Sequence, residues 1–507
     1  MNSAVKLLDI AAEKFENRIA ISDEFCELTF SELKNKAQKI GTALIDNNIG
    51  IISGPIIVYL KKSVECIVCF SGIMYSGNPY VPVSGTMPVS RIEKIINNLS
   101  PAAIITDEER IDGLSDIDLK GAKVYLYSEL IKTSENGEII EKTVDKVIDT
   151  DPIYIMYTSG STGDPKGVTV THRGVIDYAN WVASEFSFNK DDIFGNQAPF
   201  YFDNSIFDIY TTMLIGAKMV IIPEALFNFP LKLPEFLRDN HITVIFWVPT
   251  VLINVANSGV LEKVSLPELR AVLFCGEVMP NRQLNIWRKA YKKPFYANLY
   301  GPTEITDVCA YYLVDKEYED HEPLPIGKAC RNTRIIILDE DNNIAPPLKQ
   351  GELCVIGTGV ALGYWNAHDV TDKVFVDNPT SKNYNEKIYR TGDIAYFDEN
   401  GNIMYVGRMD SQIKLKGNRI ELGEIENAAK VLENVENACA IFDQQNEKII
   451  LFLESSHEFK LRLVNVELKK YIPSYMLPGE IVVMPKLPHT ENDKINRVEL
   501  KKSLQLS

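Results

Sequence analysis

Apolar residues are gathered along this chain in short blocks separated by turn formers. Residues 55–60, 101–106, 123–127, 153–157, 244–248 and 271–274 are runs rich in Ile, Val, Leu and aromatics, the pattern of strands buried on both faces. Residues 63–75 are apolar over a longer stretch and read as a buried helix. Residues 1–18 mix apolar positions with Asp9, Glu13 and Glu16 and predict a capped amphipathic helix without the basic start and apolar core of a signal peptide. A hydroxyl followed by an acid in residues 28–33 predicts a helix opening. Strands alternating with helices imply a largely parallel sheet covered on both faces, an α/β fold. After Pro325 the texture changes to short strands and turns, at 334–338 and 351–357, which predicts a β-rich subdomain. The last ninety or so residues read as helix 423–432, strand 449–454, helix 460–471 and strand 480–484, a small α+β unit. At 507 residues the chain is too long for one core.

One stretch departs from packing logic. Thr158, Ser159, Gly160, Ser161, Thr162, Gly163, Asp164, Pro165, Lys166 and Gly167 follow the apolar run 153–157 directly. Glycines free the backbone N–H groups to face an anion, hydroxyls add donors, and Lys166 adds a full charge, so the composition suits a phosphate. A Walker-type loop is excluded by spacing: counting from Gly160, the second glycine position holds Pro165.

Composition narrows the classes. With 45% hydrophobic and 24% charged residues this is an ordinary globular chain, and a net charge of −16 argues against a nucleic-acid surface and against anionic membranes. No run reaches the roughly 18 apolar residues of a membrane span; a cytoplasmic location is expected, with the eight cysteines reduced. Cys66 and Cys69 form a CxxC inside the apolar run 63–75, which marks them as core cysteines. The six histidines show no ligand spacing.

The loop 158–167 resembles the signature of the adenylate-forming superfamily, which includes acyl-CoA synthetases, luciferases and the adenylation domains of nonribosomal peptide synthesis. Other motifs agree with it: 28–33; Gly77 to Val83, followed by Ser84 and Gly85 where the family usually has an aspartate; Phe202-Asp203-Asn204-Ser205; Cys275-Gly276-Glu277; Asn298-Leu299-Tyr300-Gly301-Pro302-Thr303-Glu304; Gly351-Glu352-Leu353 and Gly363-Tyr364-Trp365; Tyr389 to Asp393; and residues 407–426. Near the end, Asn492-Asp493-Lys494-Ile495-Asn496-Arg497 keeps the family's lysine, while Asp493 and Asn496 depart from its glycine and aspartate. The resemblance covers nearly the whole chain.

It implies an N-terminal adenylation core at 1–407, a hinge at 408–410 centred on Asp410, and a small mobile domain at 411–507. It implies ATP and Mg²⁺ as cofactors. Glu304, Lys166 and Lys494 would be catalytic, Glu304 also holding the metal. The nucleotide would be held by Thr158, Ser159, Gly160, Ser161, Thr162, Gly163, Gly276, Glu277, Asn298, Tyr300, Gly301, Thr303, Asp393 and Arg408. The chemistry is reasonable for those types: Tyr300 can stack on a purine, Asn298 can pair with its edge, and the Asp393 carboxylate can accept from both ribose hydroxyls. Asp203 either holds a substrate ammonium, as in amino-acid-activating members, or caps a helix beginning near Ser205.

The family's pocket positions fall on Asp203, Asn204, Phe207, Phe246, Leu273, Cys275, Leu299, Asp307 and Val308. Bulky walls favour a small side chain, alanine of either hand or a small polar residue, ahead of a diamino or β-amino acid. Cys275 resembles the D-alanine-activating ligases of teichoic acid modification, most other pocket positions departing from them. Asp307 either faces a further substrate donor or points away toward solvent or a helix end. The expected activity is ATP-dependent formation of an aminoacyl-adenylate by a ligase, with transfer to the phosphopantetheine thiol of a separate carrier protein. Only thirteen residues follow Lys494, too few for an attached carrier. The alternatives are an acyl-CoA synthetase and a nucleotide-binding regulator without catalysis. No nucleic acid or membrane insertion is expected.

Overall fold

The protein is described by a computed structural model covering residues 1–51, 53–159, 164–320, 322–409, 412–488 and 495–504. Two large sheets form the frame. In the first, the strands Phe295–Tyr300, Ala271–Phe274, Val244–Trp247, Ile193–Asn196, Lys218–Ile221 and Ile19–Ser22 run parallel in that order, with antiparallel strands at both edges. In the second, Pro152–Thr158, Tyr80–Ser84, Ile56–Leu60, Ala103–Thr106 and Lys123–Leu126 are parallel, and Lys166–Thr171 pairs antiparallel with the first of them. The runs that read as buried strands are therefore strands, and Ile56–Leu60 and Ala271–Phe274 are buried at every position.

The apolar run after Ser63 is the helix Val64–Tyr75, in which every residue but Glu65 is buried. Cys66 and Cys69 are free core thiols within it. The helix Phe30–Asp46 opens on a complete capping box: Thr29 Oγ1 accepts from the Glu32 N–H at 3.2 Å, and Glu32 accepts from the Thr29 N–H at 2.9 Å. The N-terminal helix, Val5–Lys14, lacks the expected side-chain cap. A tertiary contact stands there instead, the Ala4 N–H donating to Nδ1 of buried His172 at 3.1 Å.

The β-rich part is an antiparallel sheet of Thr333–Leu338, Gly351–Gly357, Lys387–Phe397 and Phe375–Asp377, with Ile403–Arg408 paired to the long strand. Beyond it come the hairpin Gln412–Leu415 with Asn418–Glu421, the helix Leu422–Ala429, and a three-stranded sheet packed with the helix Leu461–Leu468. That sheet holds a strand the pattern did not predict: Asn437–Asp443 lies between the helix and Lys448–Glu454 and pairs antiparallel with the latter. Its buried run is Ala438, Cys439, Ala440 and Ile441, three small residues before the first bulky one, which gives a weak strand signal. The small unit has hydrophobic cores of its own, assembled from residues after 412. No helix among the described residues is long and apolar enough to cross a membrane.

Candidate active site

The glycine-rich loop is the turn of an antiparallel pair, in which Thr158 stands opposite Lys166. Residues 160–163, which carry Gly160, Ser161, Thr162 and Gly163, lie outside the described residues, as do Asp410 and Lys494. Both stems of the loop have the polar groups a phosphate needs. Thr158 Oγ1 is buried without a partner, Ser159 is buried, and the Lys166 ammonium lies 5.5 Å from the centre of the Tyr364 ring. An unpaired buried hydroxyl costs about 1–3 kcal/mol, so Thr158 fits a site completed by ligand oxygens.

The strand Phe295–Tyr300 ends in the turn that carries Thr303 and Glu304. A Cβ on Gly301 would lie 2.0 Å from the Asp307 carbonyl oxygen, so only glycine lets the turn fold back onto residue 307. Thr306 and Asp307 then take left-handed φ values of 62° and 73°, a conformation uncommon outside glycine. This reversal directs Asp307 inward, where it is 1% exposed.

Glu304 is wholly buried. Arg419 Nη1 lies 2.8 Å from both of its carboxylate oxygens, and the Tyr364 hydroxyl donates to Oε1 at 2.7 Å. Burial alone would push this carboxyl up; the guanidinium and the hydroxyl outweigh it and hold it below the usual range. Mg²⁺ commonly takes one or two carboxylates and completes its shell with phosphates and water. Glu304 is the right donor type, and its oxygens become open to a cation when Arg419 withdraws. No cluster of three or more acidic, cysteine or histidine ligands occurs among the described residues, so a metal here would depend on the nucleotide for most of its shell.

The residues expected around adenine and ribose are held in three separate hydrogen-bonded groups. Asn298 Nδ2 donates to the Pro325 carbonyl at 2.8 Å. Tyr300 donates its hydroxyl to Asp393, which also accepts from Arg408 Nη1 at 3.0 Å. Glu277 follows Gly276 and takes the Thr250 hydroxyl at 2.7 Å on one oxygen and the Gly417 N–H at 2.7 Å on the other. Thr303, expected with the nucleotide, has its hydroxyl close enough to Asp203 to lower that carboxyl.

Asp203 is not a helix cap. The helix Ser205–Ile215 has Asn204 at its N-cap with no side-chain cap bond, and Asp203 Oδ1 accepts from the adjoining Asn204 N–H at 3.1 Å. Burial raises the Asp203 carboxyl, the Thr303 hydroxyl opposes this, and the Glu304 charge adds to it. Asp307 does not point to solvent either: the Tyr178 hydroxyl donates to Oδ2 at 2.6 Å, and burial, then the charge of Asp203, push its carboxyl well up. The other expected wall residues surround these acids. Phe207 and Phe246 have ring centres 4.4 Å apart and join Leu273, Cys275, Leu299 and Val308 in one buried cluster; the Asn204 amide nitrogen is buried without a partner.

Three residues meet this site without having stood out in the sequence. Tyr178 looks like any core position of the helix His172–Glu185, and Arg419 belongs to a charged run that reads as a solvated hinge. Tyr154, on the strand Pro152–Thr158, feels the charges of both Asp203 and Asp307 and has a buried hydroxyl without a partner.

A glycine-rich stretch after a buried strand and a buried acid paired with Arg419 narrow the family, and sequence comparison decides it. The AMP-binding enzyme family matches residues 8–365. The chain belongs to that family. It is 33% identical over 515 residues to a D-alanine–D-alanyl carrier protein ligase of Listeria monocytogenes, covering 98% of each chain. It is 32% identical over 501 residues to tyrocidine synthase 1 of Brevibacillus parabrevis, where 98% of this chain spans 44% of the relative. Its fold matches an artificially fused adenylation–PCP di-domain from Klebsiella oxytoca at a TM-score of 0.84 and 21% identity, over 100% of this chain and 98% of that one. As an AMP-binding enzyme this is an adenylate-forming, AMP-forming ligase. Enzymes of this kind use ATP.

Proposed function

We propose that this enzyme activates a small amino acid as its aminoacyl-adenylate and passes the acyl group to the phosphopantetheine thiol of a separate carrier protein. The observation that carries the substrate class is Asp203, a buried carboxylate with no ion pair among the described residues, feeling the charge of Lys414 without pairing to it, in a core that also holds Phe207, Phe246 and Leu299. A buried acid in such a place asks for a ligand that brings a positive charge. A plain carboxylic acid, the substrate type of the acyl-CoA alternative, brings none. The relative that matches this chain end to end is named for D-alanine and a carrier protein, which supports both halves of the reaction.

In this reading the amino acid's carboxylate attacks the α-phosphate of ATP. Thr158, Ser159 and Lys166 hold the phosphates, with Gly160, Ser161, Thr162 and Gly163 between them. Asp393 takes the ribose, and Asn298, Tyr300, Gly276 and Glu277 line the base. Lys494 brings its ammonium to the reacting groups. A divalent cation on Glu304 would supply charge neutralisation to the phosphates. We read residues 1–407 as the core and 411–507 as the moving domain, swinging about 408–410. With the hairpin docked, Phe202, Asn204, Val248 and Gly417 line an open recess of about 100 Å³, a route for a slender thiol arm. A cytoplasmic setting agrees with ATP as substrate and with eight unpaired cysteines.

Asp307 favours a second reading within the same activity. A second buried acid near Asp203 suits a substrate with another donor, a hydroxyl or an amine, so serine or a diamino or β-amino acid stands beside alanine. The half-reactions are separated by giving labelled amino acid, ATP and Mg²⁺ with either a holo carrier protein or CoA. Label on the carrier supports the reading; label on CoA alone overturns it in favour of an acyl-CoA synthetase. Lys494→Ala should reduce adenylation by ~10²–10³, the scale of losing one preorganised stabiliser, while transfer from preformed adenylate survives better.

A further inference from the structure

The hairpin Gln412–Leu415 with Asn418–Glu421 is fastened to the large unit through residues already assigned to the nucleotide. Ser159 Oγ donates to the Arg419 carbonyl at 2.9 Å, Glu277 accepts the Gly417 N–H at 2.7 Å, and Glu304 holds the Arg419 guanidinium through both oxygens. The fit is close: a Cβ on Gly417, at φ 76°, would lie 2.5 Å from Val248. Away from the site, Arg91 and Glu424 pair with side chains only 3% exposed each, tying the following helix to the large unit.

Glu304 is one negative charge with no exposed surface. With a guanidinium across both oxygens and a tyrosine hydroxyl on one, it has no face left for a second cation, and a divalent ion beside Arg419 would be repelled in a medium that screens poorly. Arginine keeps its charge at every working pH, so it cannot yield by losing a proton. It must move away.

We propose that Arg419 and the nucleotide-bound divalent cation are alternative partners of Glu304, so that docking of the 412–421 hairpin and metal binding exclude one another. The inference rests on Glu304 as the metal ligand. It makes Arg419 a positioning residue: it supplies the counter-charge Glu304 needs once the metal has gone with pyrophosphate, and its pairing steadies the small unit in the orientation seen here. Linkage makes the effect reciprocal. Metal-bound nucleotide must loosen the hairpin by the same factor by which the docked hairpin weakens metal binding.

The test uses the full chain, Mn²⁺ as probe and α,β-methylene-ATP as nucleotide, with Mn²⁺ affinity measured by electron paramagnetic resonance and AMP affinity without metal as control. Arg419→Met should tighten Mn²⁺ by about tenfold, within the range common for coupled sites, and leave AMP binding unchanged. The double variant Arg91→Met with Glu424→Met, which loosens docking without touching Glu304, should tighten Mn²⁺ in the same direction. Glu304→Gln should lose the Mn²⁺ site. If Glu304→Gln binds Mn²⁺ as the parent does, the metal assignment beneath the inference fails. If Glu304→Gln loses the site but neither docking variant tightens Mn²⁺, the exclusion is overturned and the metal assignment stands. In the parent, Mn²⁺ with nucleotide should also speed proteolytic cleavage near residues 408–412; protection would contradict the proposal.

Discussion

Glu304 and Asp307 are three residues apart, and neither is more than 1% exposed, yet their carboxyls move in opposite directions. Glu304 is held below its usual range because Arg419 and Tyr364 reach it. Asp307 is driven well above by burial and then by the charge of another acid, Asp203, which the Tyr178 hydroxyl and the charge of Lys414 only partly offset. Burial is the same at both ends of this short turn; the position of the nearest cation decides the charge. Glu304 has its counter-charge in a direct ion pair with Arg419, whereas Asp203 and Asp307 feel the charge of Lys414 without an ion pair among the described residues.

The largest test of that contrast is Asp203→Ala. A buried ion pair broken on one side costs roughly 3–5 kcal/mol, so kcat/KM for the amino acid in pyrophosphate exchange should fall by ~10²–10³. The gap between the amino acid and its des-amino analogue should shrink at the same time. A variant that keeps the parent's preference would remove Asp203 from substrate recognition.

Tyr178→Phe should have a smaller effect at the same end. It removes the one hydroxyl seen on Asp307 among the described residues, a bond to a charged or shared-proton group worth about 1.5–3 kcal/mol. KM for the amino acid should rise about tenfold while ATP affinity stays unchanged. A fall in kcat with KM constant would place Tyr178 elsewhere in the cycle.

Asp208, on the helix Ser205–Ile215, sharpens the contrast through pH. Burial raises its carboxyl to about 7, opposed by the Asn196 amide at 2.8 Å and by Lys62. Because the folded value lies above the unfolded one, the folded state binds the extra proton, and stability falls as pH rises from about 4 to about 7. Asp208→Asn should lose that slope, so its melting temperature relative to the parent rises between pH 5 and pH 7. An unchanged difference across that window would mean that Asp208 stays ionised in the fold.

Much of the architecture was legible because the chain states it locally. Ile56–Leu60 and Ala271–Phe274 are uninterrupted apolar runs, and Thr29 with Glu32 spells a helix start. What escaped depends on contacts far apart in sequence. Asn437–Asp443 opens on small buried residues, Ala438, Cys439 and Ala440, whose strand signal is weak until Lys448–Glu454 lies beside it. Asp307 faces inward only because Gly301 allows the turn to close and two residues take left-handed backbone. Arg419 reads as one more solvated charge among 408–426, and its place on Glu304 appears only when the hairpin is docked. The residues proposed for the pocket came from motif resemblance, whereas Tyr178, which bonds one of them, Asp307, has no motif at all.

The central claim is that Asp203 and Asp307, buried without an ion pair among the described residues, face the ammonium of an amino-acid substrate. Pyrophosphate exchange with D-alanine, L-alanine, serine, 2,3-diaminopropionate and propionate, run on the parent and on Asp307→Asn, tests it most directly. The account predicts exchange with one or more of the small amino acids and at least ~10²-fold less with propionate, as expected when a buried carboxylate is left without its cation, and a change of ranking among serine, diaminopropionate and alanine in the variant. Equal use of propionate and alanine, or exchange with bulky apolar amino acids alone, would contradict it.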